Sequence, residues 1–429
     1  MTFFEIFAAL ITLAALFGYF NFRVLKLPTT IGMMAMALLL SLVLITVGQF
    51  SPSTFEVARD LLASIDFNQA LMHGMLGFLL FAGALHVNLS DLKEQRWVVG
   101  LLATVGTLMS TFLVGAAAYG ILNSLLDNTV PFLYCLLLGA IVSPTDPIAV
   151  MGILKKVGVP KSLETKITGE SLFNDGIGVV IFLAIAGVIG FGHAQGAQAS
   201  TSAGDIAKLF LFEAGGGALI GLGLGLLAFW LLYTIDNYHL ETLISLALVA
   251  GGYALANRLH FSGPIAMVIA ALIIGNHGRE LAMSETTRNH LDTFWELIDE
   301  VLNSILFLLI GLEILVLEFN RSFFLAGLLM IPAVLLVRFV SVGLPVLIRR
   351  RFRRFTPHAV KILTWGGLRG GISVALALSI PKTLHGEPFA HREILLAITY
   401  MIVVFSILVQ GLTVGKLVRW SLRQSEQSE

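Results

Sequence analysis

Long apolar runs, separated by short polar stretches, extend along nearly the whole chain. A membrane-spanning helix needs about 20 mostly apolar residues to cross the hydrocarbon layer. By that criterion the sequence predicts thirteen spans, at 3–20, 30–48, 68–87, 97–125, 131–153, 167–191, 206–233, 241–257, 262–276, 294–317, 323–347, 359–381 and 394–417. The pattern indicates an all-α polytopic membrane protein. The first run lacks a basic stretch before it and a small-residue cleavage signal after it, so we interpret it as a span.

The composition agrees with this class and narrows the chemistry. Of 429 residues, 57% are hydrophobic and 13% are charged, and the mean hydropathy is +0.89. Soluble domains carry about 25% charged residues. Lys+Arg and Asp+Glu balance at 27 each, so no nucleic-acid partner is expected. The sequence holds no zinc, phosphate-loop or calcium-loop motif, which argues against an enzyme and predicts no cofactor.

The positions of the basic residues predict an orientation. If the N-terminus lies outside, 19 of the 27 Lys and Arg fall in cytoplasmic loops and 6 on the opposite side, with Arg338 and Arg369 inside spans. Cytoplasmic loops carry this excess in membrane proteins. An even number of spans would remove the separation. We therefore expect a protein of the cell membrane with its C-terminus in the cytoplasm, ending in a short cytoplasmic tail at 418–429. The last residues of this tail, RQSEQSE, are polar and are expected to be disordered.

Two prolines in one predicted span indicate a break in the helix. Pro144 and Pro147 bracket Thr145 and Asp146 in the string SPTDPIAV. Each proline removes a backbone donor and clashes with the preceding turn. Carbonyl groups released at such a break, next to a carboxylate, are suitable ligands for a hard cation. A plain proline kink is the alternative, but a kink does not require an aspartate within it.

The next predicted span carries two acids, an amide and a hydroxyl on one helix face. Glu170 and Asn174 are four residues apart, as are Ser171 and Asp175, so the two pairs form neighbouring rows. Ionisable residues at membrane depth cost at least about 2.5–3.5 kcal/mol and mark functional sites. Mutual hydrogen bonding accounts for Ser171 and Asn174, whereas Asp175 calls for a counter-charge.

Two arginines also lie within predicted spans. We expect Arg338 to form a buried ion pair with Glu170. Arg369 lies among four glycines in GGLRGGIS, a pattern that predicts a second break, where its charge would offset carbonyl dipoles. The alternative for each arginine is that its side chain reaches the membrane surface.

The two predicted breaks occupy corresponding places in the chain. Segments 97–191 and 323–417 each contain three spans with the broken one in the middle, and they cross the membrane in opposite directions. Paired interrupted helices of this kind are typical of secondary transporters built from inverted repeats.

Four strings at these positions resemble monovalent cation:proton antiporters of the NhaP/NHE branch. They are SPTDPIAV, GESLFNDG, GGLRGGIS and VVFSILVQGLT, with a weaker match at LNSILFLLIGLEI. The resemblance implies an NhaA-like fold of thirteen helices with two discontinuous crossing helices. It also implies an ion-transporting core, 97–191 with 323–417, and scaffold helices, 1–96 with 192–322, that form a homodimer.

The resemblance further implies exchange of sodium or lithium for protons. Asp175 would be the main ion- and proton-binding carboxylate, with Asp146, Ser171 and the Thr145 backbone as further ligands of the transported Na⁺. Glu170 would act through water or through Arg338. An asparagine at 174, before Asp175, is similar to the electroneutral branch, which implies one cation for one proton.

Two other functions are compatible with parts of the sequence. The ligand set fits potassium/proton exchange equally well, because selectivity depends on the size of the cavity. A cation channel would need rings of carbonyls or acids, and no filter-like string is present in the sequence.

Overall fold

The computed structural model describes residues 3–51, 56, 59, 74–126, 130–147, 150–151, 154, 157, 159, 161–191, 203–317, 320–350, 358–384, 386–389 and 391–426. Their regular structure is helical apart from one small antiparallel sheet, in which β1 (Thr383–Leu384) pairs with β2 (Glu387–Pro388). The expected all-α character therefore agrees with the structure.

Bounds can be given for seventeen α-helices, and further helical residues are described at 56, 59, 150–151, 154 and 157. The first eight are α1 (Phe3–Phe20), α2 (Thr29–Gly48), α3 (Leu76–Leu85), α4 (Leu89–Leu101), α5 (Thr107–Leu125), α6 (Phe132–Val142), α7 (Lys161–Ile189) and α8 (Ala203–Tyr233). The rest are α9 (Tyr238–Arg258), α10 (Gly263–Ile273), α11 (Arg279–Leu281), α12 (Glu285–Leu312), α13 (Arg321–Arg350), α14 (Ala359–Gly366), α15 (Gly371–Leu378), α16 (Arg392–Phe405) and α17 (Gly411–Glu426).

Short non-α turns extend or join several of these helices. π-helical turns lie at Asn21–Leu25, Leu102–Gly106, Ile274–Gly278 and Ser406–Gln410, residues 74–75 before α3 are also π-helical, and a 3₁₀ turn lies at Glu313–Leu315. Because the π turns lead directly from one helix into the next, the helical structure is continuous over Leu89–Leu125 and over Arg392–Ser421.

Helix starts follow local capping chemistry. The Asn237 side chain accepts hydrogen bonds from the amides of His239 and Leu240, which begins α9. Ser262 accepts from the Ile265 amide and precedes Pro264 in the first turn of α10. These caps satisfy donors that have no partner inside a helix. The Ser262 cap starts α10 directly after the end of α9 at Arg258, next to the predicted division between residues 257 and 261.

Eight helical segments among the described residues are long and apolar enough to cross a membrane. They are Glu5–Leu25, Thr29–Gly48, Leu89–Leu125, Lys161–Ile189, Leu211–Tyr233, Tyr238–Arg258, Arg321–Leu347 and Arg392–Ser421. Two shorter apolar helices, α3 and α6, add to them. The number thirteen stays a prediction, since broken spans are too short to be counted by length.

The expectation of disorder in the final residues, RQSEQSE (423–429), is wrong for residues 423–426, which continue α17. The Trp420 ring lies 5.4 Å from that of His358, and the Lys361 ammonium lies over it at 5.2 Å from the centroid. These contacts with the start of α14 hold the extension as a helix. The charged residues of this extension end the hydrophobic run in the sequence, but the helix continues through them.

The chain divides into two compact units. Unit 1 comprises Met1–Leu71, Met109–Pro160 and Asn303–Glu429, and unit 2 comprises Met72–Leu108 and Lys161–Leu302. The predicted division into core and scaffold helices stays a prediction.

Small residues allow close helix contacts inside unit 1. Gly139 of α6 lies directly against the Thr111 carbonyl of α5, with no room for a Cβ. Gly311 of α12 packs in the same way on α2, where the Ser41 hydroxyl lies 3.1 Å from the Gly311 carbonyl oxygen. Close approach of backbones is the usual packing of membrane helices.

Three helices of unit 2 pack around the buried side chain of Trp295. The Trp295 ring of α12 lies 4.7 Å from that of Phe81 in α3, and its indole N–H donates to the Ser245 hydroxyl of α9 at 3.0 Å. Three helices are thereby fixed around one side chain, because its apolar body is buried and its single donor is satisfied.

Candidate functional site

The first predicted break is present in unit 1. Helix α6 ends at Val142, residues 143–147 are not helical, and Val150 and Met151 are helical again. The Ser143 hydroxyl bonds to the Gly139 carbonyl at 2.6 Å and so holds the end of α6. Thr145 is buried, and Asp146 is partly buried. The two prolines thus interrupt the span, as their chemistry predicts.

The second predicted break is also present in unit 1, between α14 and α15. Helix α14 ends at Gly366, and α15 begins at Gly371, so residues 367–370 are unwound. The two breaks meet: the Asp146 amide donates to the Leu368 carbonyl at 2.8 Å in an isolated antiparallel bridge. This hydrogen bond joins the broken helices at their non-helical segments.

The carbonyl groups released at the second break have identified donors. Arg338 Nη2 lies 3.4 Å from the Leu363 carbonyl, Gln410 Nε2 lies 3.0 Å from that of Trp365, and the Leu368 amide donates to that of Gly366. Arg369 Nη1 donates to the Gly367 carbonyl at 2.8 Å. Since unpaired backbone groups cannot be exposed to lipid, these bonds explain how the unwound segment is tolerated.

The charges around the break oppose the dipoles of the helix ends. Arg369 and Arg338 are 2% and 5% exposed, so both side chains lie inside the protein, and both contact carbonyls near the C-terminal end of α14. The Asp146 carboxylate lies against Gly370, which precedes the first turn of α15. Cations at a helix C-terminus and an anion at an N-terminus are the favourable arrangement.

The polar face of α7 belongs to unit 2. Glu170, Ser171, Asn174 and Asp175 are all buried, with exposed fractions of 2%, 1%, 1% and 8%. Their spacing places them on one side of a continuous helix. A buried row of acids within a spanning helix is the arrangement that the sequence predicts.

The opposite side of α7 is apolar. Leu172, Phe173, Gly176 and Ile177 line a cavity of about 250 Å³ together with Thr104, Ala214, Ile265 and Val268. Gly176 is close enough to Ile265 of α10 that an added Cβ would lie 3.0 Å from its side chain. This side of α7 therefore packs within unit 2, and its carboxylates point away from the cavity.

The predicted site residues thus fall into two groups. Unit 1 brings together Asp146, Arg338, Arg369 and, through the first break, Thr145. Unit 2 holds Glu170, Ser171, Asn174 and Asp175 on α7. The expected ion pair between Glu170 and Arg338 would join residues of different units and stays a prediction. The expectation that residues of both groups bind the same Na⁺ also stays a prediction.

Sequence reasoning gave no role to two residues at the second break. Ser406 accepts from the Arg369 amide at 2.8 Å, and Gln410 bonds to Trp365 as described above. Two polar residues four apart in the apolar run VVFSILVQGLT were the available signal.

Comparisons with known proteins identify relatives along the whole chain. A family model described as "sodium/hydrogen exchanger, transmembrane" matches residues 11–420. The Na⁺/H⁺ antiporter NhaP of Pseudomonas aeruginosa is 50% identical over 420 residues, covering 97% of this chain and 96% of that protein. The Na⁺/H⁺ antiporter NhaH of Halobacillus dabanensis is 35% identical over 402 residues, covering 92% and 93%.

A solved structure has a similar fold. The sodium proton antiporter MjNhaP1 from Methanocaldococcus jannaschii, determined at pH 8, superposes with a TM-score of 0.75 over 98% of this chain and 100% of that one, at 21% identity. The chain is thus a transport protein rather than an enzyme, and it belongs to the transmembrane sodium/hydrogen exchanger family.

Proposed function

We propose that this protein is a secondary antiporter of the cell membrane that exchanges Na⁺, or Li⁺, for H⁺ through alternate occupation of Asp175. The observation that carries the proposal is the burial of Asp175, 8% exposed, on a polar face of α7. It is supported by 50% identity over 97% of the chain to a Na⁺/H⁺ antiporter.

Competition for one carboxylate is the proposed mechanism. Burial penalises the charged form of a carboxyl group, so the group binds either a proton or a cation as a counter-charge. The helices that carry Asp175 would move when a proton or a cation neutralises its carboxylate. They would not move when the carboxylate is a bare anion, because a charge at membrane depth is costly. One acid loaded alternately gives one cation for one proton, which is electroneutral exchange.

The other polar residues have proposed supporting roles. Asp146, Ser171 and the Thr145 carbonyl would supply further oxygens to the cation, and Asn174 would support the neighbouring Asp175. Glu170 would pair with Arg338, and Arg369 would hold the second break through the Gly367 carbonyl.

The architecture of the proposal follows the predicted division of the chain. Helices of 97–191 and 323–417 would move as a body relative to those of 1–96 and 192–322, which would also form the homodimer. Thirteen spans with the N-terminus outside would place the C-terminus in the cytoplasm.

A proteoliposome assay tests cargo and stoichiometry together. Purified protein is reconstituted with a pH-sensitive dye inside, and Na⁺, Li⁺ or K⁺ is added outside, each with and without an imposed membrane potential. We expect proton movement with Na⁺ and Li⁺ that does not respond to the potential. Movement driven by K⁺ alone would instead establish potassium/proton exchange, and unidirectional ionic current without counter-movement of protons would establish a channel.

A further inference from the structure

A hydrogen-bonded pair of side chains lies beside the second broken helix. The Ser406 hydroxyl donates to Gln410 Oε1 at 2.7 Å, and the two residues are 1% and 3% exposed. Both lie outside the proposed ligands of the cation. We refer to Ser406 and Gln410 together as the clamp pair.

The clamp pair holds the backbone on both sides of the break. Ser406 Oγ accepts from the Arg369 amide at 2.8 Å, and Gln410 Nε2 donates to the Trp365 carbonyl at 3.0 Å. The Ser406 hydroxyl and the Gln410 side-chain amide thus form a continuous series of hydrogen bonds, which runs from Trp365 through Gln410 and Ser406 to Arg369. A buried polar group that loses its partner cannot turn to water, so each bond strongly constrains its position.

The segment between these two attachment points contacts Asp146. Leu368 lies between Trp365 and Arg369, and its carbonyl accepts the Asp146 amide at 2.8 Å. Gly411, which follows Gln410, is close enough that an added Cβ would lie 3.7 Å from the Leu368 side chain. A shift of the clamp pair would therefore displace Leu368 and, through its carbonyl, the backbone of Asp146.

The clamp pair lies in a π-helical turn. The Gly411 amide donates to the Ser406 carbonyl five residues back, and the turn Ser406–Gln410 joins α16 to α17. Single π turns inside long helices are rare and are frequent at functional sites. A cavity of about 10 Å³, roughly the space of one water molecule, lies among Gln410, Arg338 and Arg369. The pair therefore borders the charged part of the break rather than the lipid.

We propose that Ser406 and Gln410 are positioning residues for the cation, acting through Leu368 on the backbone of Asp146. This inference rests on the proposed function, in which Asp146 and Thr145 supply oxygens to the cation but not to the proton. Loss of the clamp pair should therefore weaken cation binding and leave proton binding by Asp175 unchanged.

The test measures the half-saturating Na⁺ concentration of proteoliposome exchange across a range of pH. Ser406→Ala and Gln410→Met should each raise it about tenfold, because each removes two of the three hydrogen bonds that connect Trp365 to Arg369. The pH at which protons begin to compete with Na⁺ should stay where it is in the wild type. Ser406→Thr, which keeps the hydroxyl, should restore wild-type half-saturation.

The control variant is Thr413→Val. Thr413 accepts a hydrogen bond from the Trp365 indole at 2.9 Å, and its hydroxyl bonds to the Val409 and Gln410 carbonyls within its own helical segment. The substitution therefore removes a side-chain bond between the same two segments and leaves the bonds of the clamp pair to the backbone of Trp365 and Arg369 in place. Its half-saturation should equal that of the wild type. Equal shifts in Thr413→Val and Ser406→Ala would show a general packing effect and overturn the proposal.

Other outcomes separate this inference from the function itself. A wild-type protein without Na⁺-driven proton movement contradicts the proposed function. If the wild type exchanges normally but Ser406→Ala has the same half-saturating Na⁺ concentration, only the proposed role of the clamp pair is contradicted. The same holds if the pH at which protons begin to compete shifts together with the Na⁺ affinity. If Gln410→Met does not fold, the comparison of Ser406→Ala with Ser406→Thr decides the question.

Discussion

Gly370 and Asp146 touch across the two broken helices. A Cβ on Gly370 would lie 2.5 Å from the Asp146 Cβ and 2.7 Å from its Cγ, distances that a real side chain does not adopt. The absence of a side chain at 370 is therefore what allows the Asp146 carboxylate to lie at the start of α15.

Gly370→Ala should abolish exchange or reduce it by at least about tenfold, because the added methyl group must displace Asp146 or separate the breaks. Gly366→Ala is the matched control, since its Cβ would lie 3.7 Å from Val150 and 3.9 Å from Val414, which is ordinary contact. Initial rates of Na⁺-driven proton movement, normalised to reconstituted protein, provide the measurement. Equal rates for both variants would contradict the tight contact.

Asp175→Asn should reduce cation-driven proton movement to the level of protein-free liposomes, because an amide neither releases a proton nor balances a cation. The control is Asp91→Asn, which removes a carboxylate from the exposed ion pair that Lys161 forms at 2.7 Å. Because Lys161 is exposed and solvent screens the pair, its loss should leave exchange close to that of the wild type. Near-normal exchange by Asp175→Asn would reject the assignment of this residue.

Arg338→Ala should lower stability as well as activity. The guanidinium lies 3.4 Å from the buried Leu363 carbonyl and fills the space beside Gly367, so its loss should cost about 1–3 kcal/mol. If the predicted pair with Glu170 exists, the cost should reach about 3–5 kcal/mol.

Thermal unfolding of Arg338→Ala, Glu170→Ala and the double variant would measure the coupling between these two residues. A coupling energy above about 0.5 kcal/mol supports the pair, and additive effects within that limit reject it.

Stability should depend on His391 at mildly acidic pH. Burial lowers the pKa of His391 below its usual 6.5, and its ring packs against Tyr134 at 5.4 Å. The unfolded chain then binds a proton more readily than the folded protein, so stability falls as pH drops below about 6.5 and levels off below the folded pKa. His391→Gln should remove this component, a change of roughly 1–3 °C in melting temperature between pH 7 and pH 5. An identical pH dependence in wild type and variant would contradict it.

The proposed orientation can be measured with single cysteines. The native Cys135 is fully buried, and its replacement by serine gives a cysteine-free background. Arg353→Cys should react with a membrane-impermeant maleimide only in inverted vesicles, and Lys382→Cys only in intact cells. Labelling of Arg353→Cys from the cell exterior would reverse the orientation.

The two breaks could be predicted from the sequence because their causes are local. Pro144 and Pro147 remove donors wherever the helix lies, and the glycines around Arg369 weaken a helix in any environment. The pairing of Asp146 with Leu368 could not be predicted, because a backbone hydrogen bond between segments more than 200 residues apart leaves no residue-type signal.

The contacts of buried side chains and the points at which helices end were harder to predict than the presence of the helices themselves. The buried row from Glu170 to Asp175 followed from helical spacing, whereas the contacts of Ser406 and Gln410 depend on a π turn that no residue preference specifies. The end of α17 was misplaced because hydrophobicity marks the edge of a lipid layer rather than the end of a helix, and Trp420 holds the extension by contacts with His358 and Lys361.

Helix α8 meets α10 through a repeating set of small residues. Gly217, Gly221 and Gly225 face the backbone of Ser262, Ala266 and Ala270, so both helices repeat with a spacing of four residues. If one helix shifted along the other by one residue, a larger side chain would take the place of a glycine and clash with the backbone of the other helix. These two helices consequently have a single close-packed alignment, and we expect them to move as one piece in the proposed transport cycle.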